Sequence, residues 1–312
     1  MDINRANMSG LFKSFNTSFT QGNQRGVVLP PELQSERITL AEACTIITSN
    51  AQIEVHAWLN QIPGFRRWLG DRQKKNISTN KLEITNVDWE DTISIDRNDI
   101  LFDRYGLYAP RFEALGAEAS DNALWLDMVV DALLANGLWI DGKAFFVADR
   151  KFGENTINNY TESSLAMATL ESGLAAMQSY LGPENNPLGV QPVYLLVGPG
   201  LRQTAWDLVK NANVSSGTGK GGAIENRCRG LALLRTHPKL VGAHANKWFI
   251  LGQKGQMKPL GVQRAKMPQL VAKDRVEDDN VFFNKEFIYG SDAIGEGFLT
   301  LPHLAYGGIV AA

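Results

Sequence analysis

The hydrophobic positions of this chain change period several times, and each change marks an element. Near the start, Leu11, Phe12, Phe15 and Phe19 recur at helical spacing inside an Asn/Gln/Ser/Thr-rich stretch that ends in "LPPELQ". This predicts an arm carrying one short amphipathic helix rather than a domain. Such an arm is poorly ordered alone, so a neighbouring copy of the chain is its expected support. Residues 37–60 read as a helix closed by a tryptophan anchor. "KLEITNVDWEDTISIDR" then alternates: Leu82 shares a face with Ile84, and Trp89 with Ile93 and Ile95, while Glu90, Thr92, Ser94 and Asp96 lie opposite. Period two predicts a two-stranded antiparallel ribbon turning near residues 86–88.

From Pro110 to Asn136 the period becomes helical, through Phe112, Leu115, Ala119, Ala123, Leu126, Val130 and Leu133. Gly137 is placed as its C-terminal cap, and Gly116 or Ser120-Asp121 as the point where it kinks or splits. "KAFFVAD" reads as a short strand. Thr161 is the expected cap of a helix carrying Met167, Leu170, Leu174, Met177 and Leu181, stopped by Gly182-Pro183. "PVYLLVG" reads as a buried strand that turns into a second helix with Leu201, Ala205, Leu208 and Val209. Residues 155–255 thus form an α/β unit. "LGVQRAK", "VFFNKEFIYGSDAIGEG" and "LTLPHLAYGG" return to strands.

Composition narrows the function. Of 312 residues, 44% are hydrophobic and 21% charged, as in ordinary folded proteins. The net charge of −2 argues against a dedicated nucleic-acid binder. Cys44 and Cys228 form no C-x-x-C pair, and neither a secretory leader nor a membrane-length apolar run is visible. A protein made in a cytoplasm follows. "GTGKGG", from Gly217 to Gly222, lacks the first glycine and the hydroxyl of a phosphate loop, since Val214 and Gly221 stand in those places. His56, His237, His244 and His303 make no metal motif, and Cys228, although flanked by Arg227 and Arg229, has no assignable partner. No catalytic, cofactor-binding or metal-binding residue is expected, and the chain does not read as an enzyme. The alternative is a soluble α/β enzyme gripping a phosphorylated ligand through the Gly217–Gly222 loop.

The charges are more informative. Within and after "WLNQIPGFRRWLGDRQ", Arg66, Arg67, Arg72, Lys74 and Lys75 surround the single acid Asp71. The ribbon that follows carries Glu83, Asp88, Glu90, Asp91, Asp96, Asp99 and Asp103 against Lys81, Arg97 and Arg104. These are either two solvated faces or complementary patches between copies, which would fix register and partner choice.

The runs "VHAWLNQIPGFRRWLGDRQ", "LEITNVDWEDTISIDRNDI", "GLYAPRFEALGAEASDNALWLDMVVDALLANG" and "IDGKAFFVAD" resemble the Mu-like phage major head subunit, the gpT family, over roughly residues 10–150. The W-L-x-x-[IL]-P-x-x-R-x-W-x-G-x-R element and the ribbon ending "R-N-D-I" carry the likeness, which is looser over 150–312. The family's acidic, histidine-containing end to the "DGxxFF" strand is replaced here by "VADRKFG". The resemblance implies an α+β fold, the tailed-phage major capsid fold of Hong Kong 97 type. On it, residues 1–35 are an N-terminal arm, 36–75 lead into the peripheral domain, and 76–106 are an extended loop. Residues 107–154 are the peripheral domain with its spine helix, 155–255 the axial domain, and 256–312 closing strands that return to the peripheral domain.

The implied function is a major capsid protein that self-assembles, as hexameric and pentameric capsomers, into an icosahedral head around the double-stranded DNA of a tailed bacteriophage. No cofactor and no membrane are implied. The implied partners are other copies, a portal, a separate scaffold, a decoration protein, and DNA held non-specifically. The implied location is the virion, with assembly in the host bacterial cytoplasm. Phe12, Phe15, Phe19, Arg66, Arg67, Arg72, Trp89, Glu90, Asp91 and Asp96 are the expected intersubunit residues. Trp58 and Trp68 are expected to pack on the subunit's own peripheral domain about a bend at Pro63-Gly64.

Overall fold

The computed structural model describes residues 3, 5–26, 30, 34–59, 79–102, 104–183, 185–215, 223–275 and 277–310. In chain order the elements are α1 (Arg5–Arg25), α2 (Leu40–Ala43), β1 (Cys44–Thr48), β2 (Ile53–Leu59), β3 (Thr79–Thr85) and β4 (Val87–Asp96). Next come α3 (Arg97–Leu101), α4 (Ala109–Glu118), α5 (Leu126–Ala135), β5 (Arg150–Phe152), β6 (Asn155–Ile157), β7 (Tyr160–Thr161), α6 (Met167–Ser179) and β8 (Gln191–Val197). The chain continues through α7 (Arg202–Val209), β9 (Asn213–Ser215), β10 (Ala223–Glu225), β11 (Leu233–Thr236) and β12 (Trp248–Gln253). It closes with β13 (Leu260–Lys273), α8 (Asp279–Asn284), β14 (Glu286–Leu299) and β15 (Ala305–Gly308). Among the described residues, one sheet runs β1-β13-β14-β4 and another β11-β8-β12-β15-β7.

The arm is the first departure from expectation. Its helix is long, and the stripe Met8, Leu11, Phe15 and Phe19 is buried against its own chain. Phe15 stacks on Phe112 of α4 with centroids 4.1 Å apart, and both rings meet Tyr289 of β14 edge-on at 5.4 and 5.3 Å. Two glycines let the helix backbones touch. A Cβ on Gly22 would stand 1.9 Å from the Glu113 carbonyl oxygen, and one on Gly116 would stand 2.0 Å from that of Phe19. Asn23 Nδ2 fastens the crossing by donating to Ala119 O at 2.8 Å.

Residues 37–60 are not one helix. Thr39 and Glu42 form a reciprocal cap on the single turn α2, after which the chain turns to strand. The β-branched run "CTII" suits a pleated surface better than a helix, and β1 lies parallel to β13, from Cys44↔Leu260 to Thr48↔Arg264. Nor do β3 and β4 pair with each other as a ribbon. β3 pairs antiparallel with β2, from Ile53↔Thr85 to Leu59↔Thr79, while β4 pairs with β14, from Glu286↔Asp96 to Gly295↔Val87. Alternation fixes which side a residue faces but not which strand lies beside it. Among the described residues the two-stranded antiparallel pair that stands as its own sheet here is therefore β2–β3, which begins upstream of the expected loop. The run from Trp58 to Gln73 starts in β2; from residue 60 to its end, with Pro63, Gly64, Trp68 and the three arginines, it lies outside the described residues.

Asn86 sits at the junction of β3 and β4, buried rather than turning. Its backbone N–H donates to Gln52 O at 2.9 Å; its Nδ2 donates to Ser49 Oγ at 3.0 Å and Ala51 O at 2.7 Å. Its Oδ1 accepts from Gln263 Nε2 at 2.8 Å.

The spine divides where Ser120-Asp121 predicts. Ser120 is extended, a π-helical turn spans Asp121–Trp125, and α5 continues to Ala135. Asn136, not Gly137, takes the left-handed cap with φ 48°, a conformation asparagine tolerates, and its side chain accepts from Phe146 N at 2.7 Å. "KAFFVAD" is not a regular strand: Ala144 makes one isolated bridge to Leu138, and Phe145 and Phe146 plug the core beneath the spine. Thr161 lies in β7, and Thr169 Oγ1 instead accepts from Ala166 N at the start of α6. β8 is the expected buried strand, flanked by parallel β11 and antiparallel β12. β15 joins that five-stranded sheet, between β12 and β7, so only β13 and β14 of the closing strands return to the four-stranded sheet.

Candidate assembly surfaces

A groove of about 300 Å³ runs between β4 and the spine. Trp89, Leu115, Ala123, Met128 and Pro268 give it an apolar floor, and Glu90, Asp91, Glu118, Asp127 and Asp131 an acidic rim. Trp89 is held in place because its Nε1 donates to Gly295 O at 3.1 Å. Thr92 fixes both neighbouring acids: its Oγ1 donates to Glu90 Oε2 at 2.8 Å and its N–H to Asp91 Oδ1 at 2.8 Å. Lys239 lies 2.5 Å from Asp131 and 3.4 Å from Asp127. Burial works to raise the pKa of Asp127, but His237 Nε2 at 3.3 Å and the charge of Lys239 outweigh it and hold the carboxyl below its ordinary value. The rim therefore carries net negative charge at neutral pH.

The expected intersubunit residues scatter. Trp89, Glu90 and Asp91 meet in this groove. Asp96 lies at the other end of β4, where its carboxylate caps α3 by accepting from Asn98 N at 2.7 Å. Phe12 is half-buried and lines cavities beside β13. Phe15 and Phe19 are buried inside the chain and are not available to a neighbour, because α4 and β14 already supply the apolar surface they need. Arg66, Arg67 and Arg72 lie outside the described residues. Sequence reading missed Asp127 and Asp131, whose four-residue spacing puts both on the polar side of α5. It also missed a cluster of exposed aromatic residues at the far end of the four-stranded sheet, signalled by two adjacent phenylalanines inside "DDNVFFNKE".

Catalytic features do not converge among the described residues. Among the described residues no three His, Cys, Asp or Glu side chains are placed to hold a metal ion. Burial pushes the Cys44 thiol up to about 12 and raises that of Cys228, making both poor nucleophiles. Residues 217–222 lie outside the described residues. No described helix is long and apolar enough to cross a membrane.

Comparison with known proteins agrees with the geometry. The family described as Mu-like prophage major head subunit gpT matches residues 8–167, 156–240 and 235–309. The chain is 25% identical over 276 residues to the Mu-like prophage FluMu major head subunit of Haemophilus influenzae, covering 86% of this chain and 67% of that protein. It is 24% identical over 293 residues to the major capsid protein of Escherichia phage Mu, covering 92% and 70%. The fold is similar to a chain from the procapsid of bacteriophage JBD30, with a TM-score of 0.55, 24% identity and coverage of 98% and 75%. It is also similar to a chain of the virus-like particle from Pyrococcus furiosus, with a TM-score of 0.51, 10% identity and coverage of 95% and 98%. These likenesses place the chain in the tailed-phage capsid fold, and it belongs to the Mu-like prophage major head subunit gpT family.

Proposed function

We propose that this phage head protein builds an icosahedral shell of hexameric and pentameric capsomers around double-stranded DNA. In this reading its surfaces are for copies of itself rather than for substrate. Portal, separate scaffold and decoration proteins are its further partners, and the virion, assembled in the host cytoplasm, is its location. The observation that carries the reading is the hairpin β2–β3. Ile53 and Val55 at its root are exposed, and a two-stranded hairpin with open apolar residues is marginal by itself. It needs a second surface.

The groove supplies one. Residues 60–78, which join β2 to β3, combine Ile62, Phe65, Trp68 and Leu69 with Arg66, Arg67, Arg72, Lys74 and Lys75. The groove offers an apolar floor and an acidic rim, the matching chemistry. In this reading one copy's hairpin docks at the β4–spine groove of the next. The contact is heterologous, so it closes into rings and then a shell. Each contact is weak, and simultaneous engagement at several edges holds the lattice. A near-neutral subunit also avoids gripping packaged DNA, since every neutralised phosphate adds salt-dependent affinity.

Reversal of charge tests this. Arg67→Glu should leave the subunit folded by circular dichroism and block shells by electron microscopy, and Glu90→Arg in the same chain should restore them in part. Shells of normal yield from Arg67→Glu alone would sink the hairpin–groove contact.

A further inference from the structure

The far end of the four-stranded sheet carries an apolar surface that the groove contact leaves open. α3 follows β4 and α8 precedes β14. Asp96 pairs with Glu286, and Arg97 N donates to Lys285 O at 2.8 Å, so the start of α3 adjoins the end of α8. Each sends one residue inward, Ile100 from α3 and Val281 from α8, and both are buried in the core under α1. Asn280 locks α8, its Nδ2 donating to Lys273 O at 3.1 Å and Glu286 O at 2.6 Å. Lys285, in the left-handed region at φ 58°, ends the helix at once.

On this fixed platform Phe282 and Phe283 are each 75% exposed; Phe102, just past α3, is 68% exposed. Phe282 and Phe283 meet edge to face with centroids 5.0 Å apart. Among the described residues they belong to none of the buried apolar cores. The two rings together present on the order of 300 Å² of apolar surface.

We infer that this phenylalanine cluster is a second contact between copies of the chain, in which the patch of one subunit meets the same patch of another; the inference rests on the shell-forming reading. Two features favour a copy as the occupant. The flanks carry both signs, Glu277, Asp278 and Asp279 beside Lys273, Arg275 and Lys285, so a second copy supplies the complementary charges that a uniformly charged partner would not. The area is also below the ~800 Å² per partner of a stable free complex. The patch is therefore too small to pair subunits in solution and closes only between subunits that other contacts already hold.

The test uses the full chain and heads purified from producing cells. Phe282→Ser with Phe283→Ser should keep the unfolding midpoint of the free subunit and still give capsomers, but cut the yield of closed shells at least tenfold. Phe282→Leu with Phe283→Leu should restore most of it. A thiol introduced by Phe283→Cys provides a second readout, because both native cysteines are buried. It should react with a maleimide quickly in free capsomers and at least tenfold more slowly in assembled heads. Normal shell yield from the double serine variant, or equal thiol reactivity in capsomers and heads, overturns the inference, and equal reactivity points to a surface left open for a different partner. If the unaltered chain forms no shells at all, the shell-forming reading itself has failed.

Discussion

Two glycines on one helix should respond oppositely to the same change. Alanine in a helix interior is intrinsically better than glycine by about 0.5–1 kcal/mol. At Gly10 an added Cβ meets nothing within 4 Å, so Gly10→Ala should stabilise the subunit by about that amount. At Gly22 the same methyl lands 1.9 Å from the backbone oxygen of Glu113, which cannot swing away. Restoring ordinary contact at ~3.4 Å moves α1 off α4 by about 1.5 Å. A gap of even 0.5–1 Å forfeits a quarter to a half of a dispersion contact. The Phe15–Phe112 stack and the burial of Phe19 share that loss, and fully burying such side chains contributes about 2–3 kcal/mol each. Setting about 2–4 kcal/mol of lost packing against the propensity gain, Gly22→Ala should destabilise by about 1–3 kcal/mol. Urea unfolding of the unassembled subunit reads both values, and limited proteolysis reports whether the arm is loosened. If Gly22→Ala stabilises as Gly10→Ala does, α1 does not pack on α4 as described, and the arm belongs elsewhere.

Burial, with a smaller contribution from Lys254, lowers the pKa of His303 to about 4, so the folded subunit holds it neutral while the unfolded chain protonates near 6.5. The folded state then binds fewer protons between these values; its stability is complete above pH ~6.5 and falls by about 3 kcal/mol on descent to pH 4. His303→Gln should flatten that part of the stability–pH curve, and an unchanged slope would show that other groups cause it. Asn86→Ala removes the partner of Gln263 Nε2 and the donor to Ser49 and Ala51, and should cost about 2–3 kcal/mol. Hydrogen exchange should quicken in β2 and β3 before it does in β13 and β14; uniform quickening would contradict a local role.

Elements whose burial follows from their own spacing were readable: the Phe15–Phe19 stripe, the spine with its break at Ser120, and the strand–turn–helix of β8 and α7. Failures came where a partner far along the chain decides the outcome. The period-two run through residues 79–96 is strand throughout, yet a single buried asparagine sends its halves to β2 and β14. "CTIIT" reads as helix or strand until β13 lies beside it. Of the groove's lining, Trp89, Glu90 and Asp91 stand out in the acidic run of the sequence, but Asp127 and Asp131 look like any solvated helix face. Phe15 and Phe19 misled because an aromatic stripe does not say whose core it enters.

β15 also sets an order of events in time. It is the last strand among the described residues, yet it lies between β12 and β7, inside its sheet rather than at the edge. Until residues 305–308 leave the ribosome, β12 exposes unpaired backbone and β7 has no neighbour in the sheet. A chain that stops before residue 305 therefore cannot complete this five-stranded sheet, and its fold closes only when a distant late segment inserts between two earlier strands.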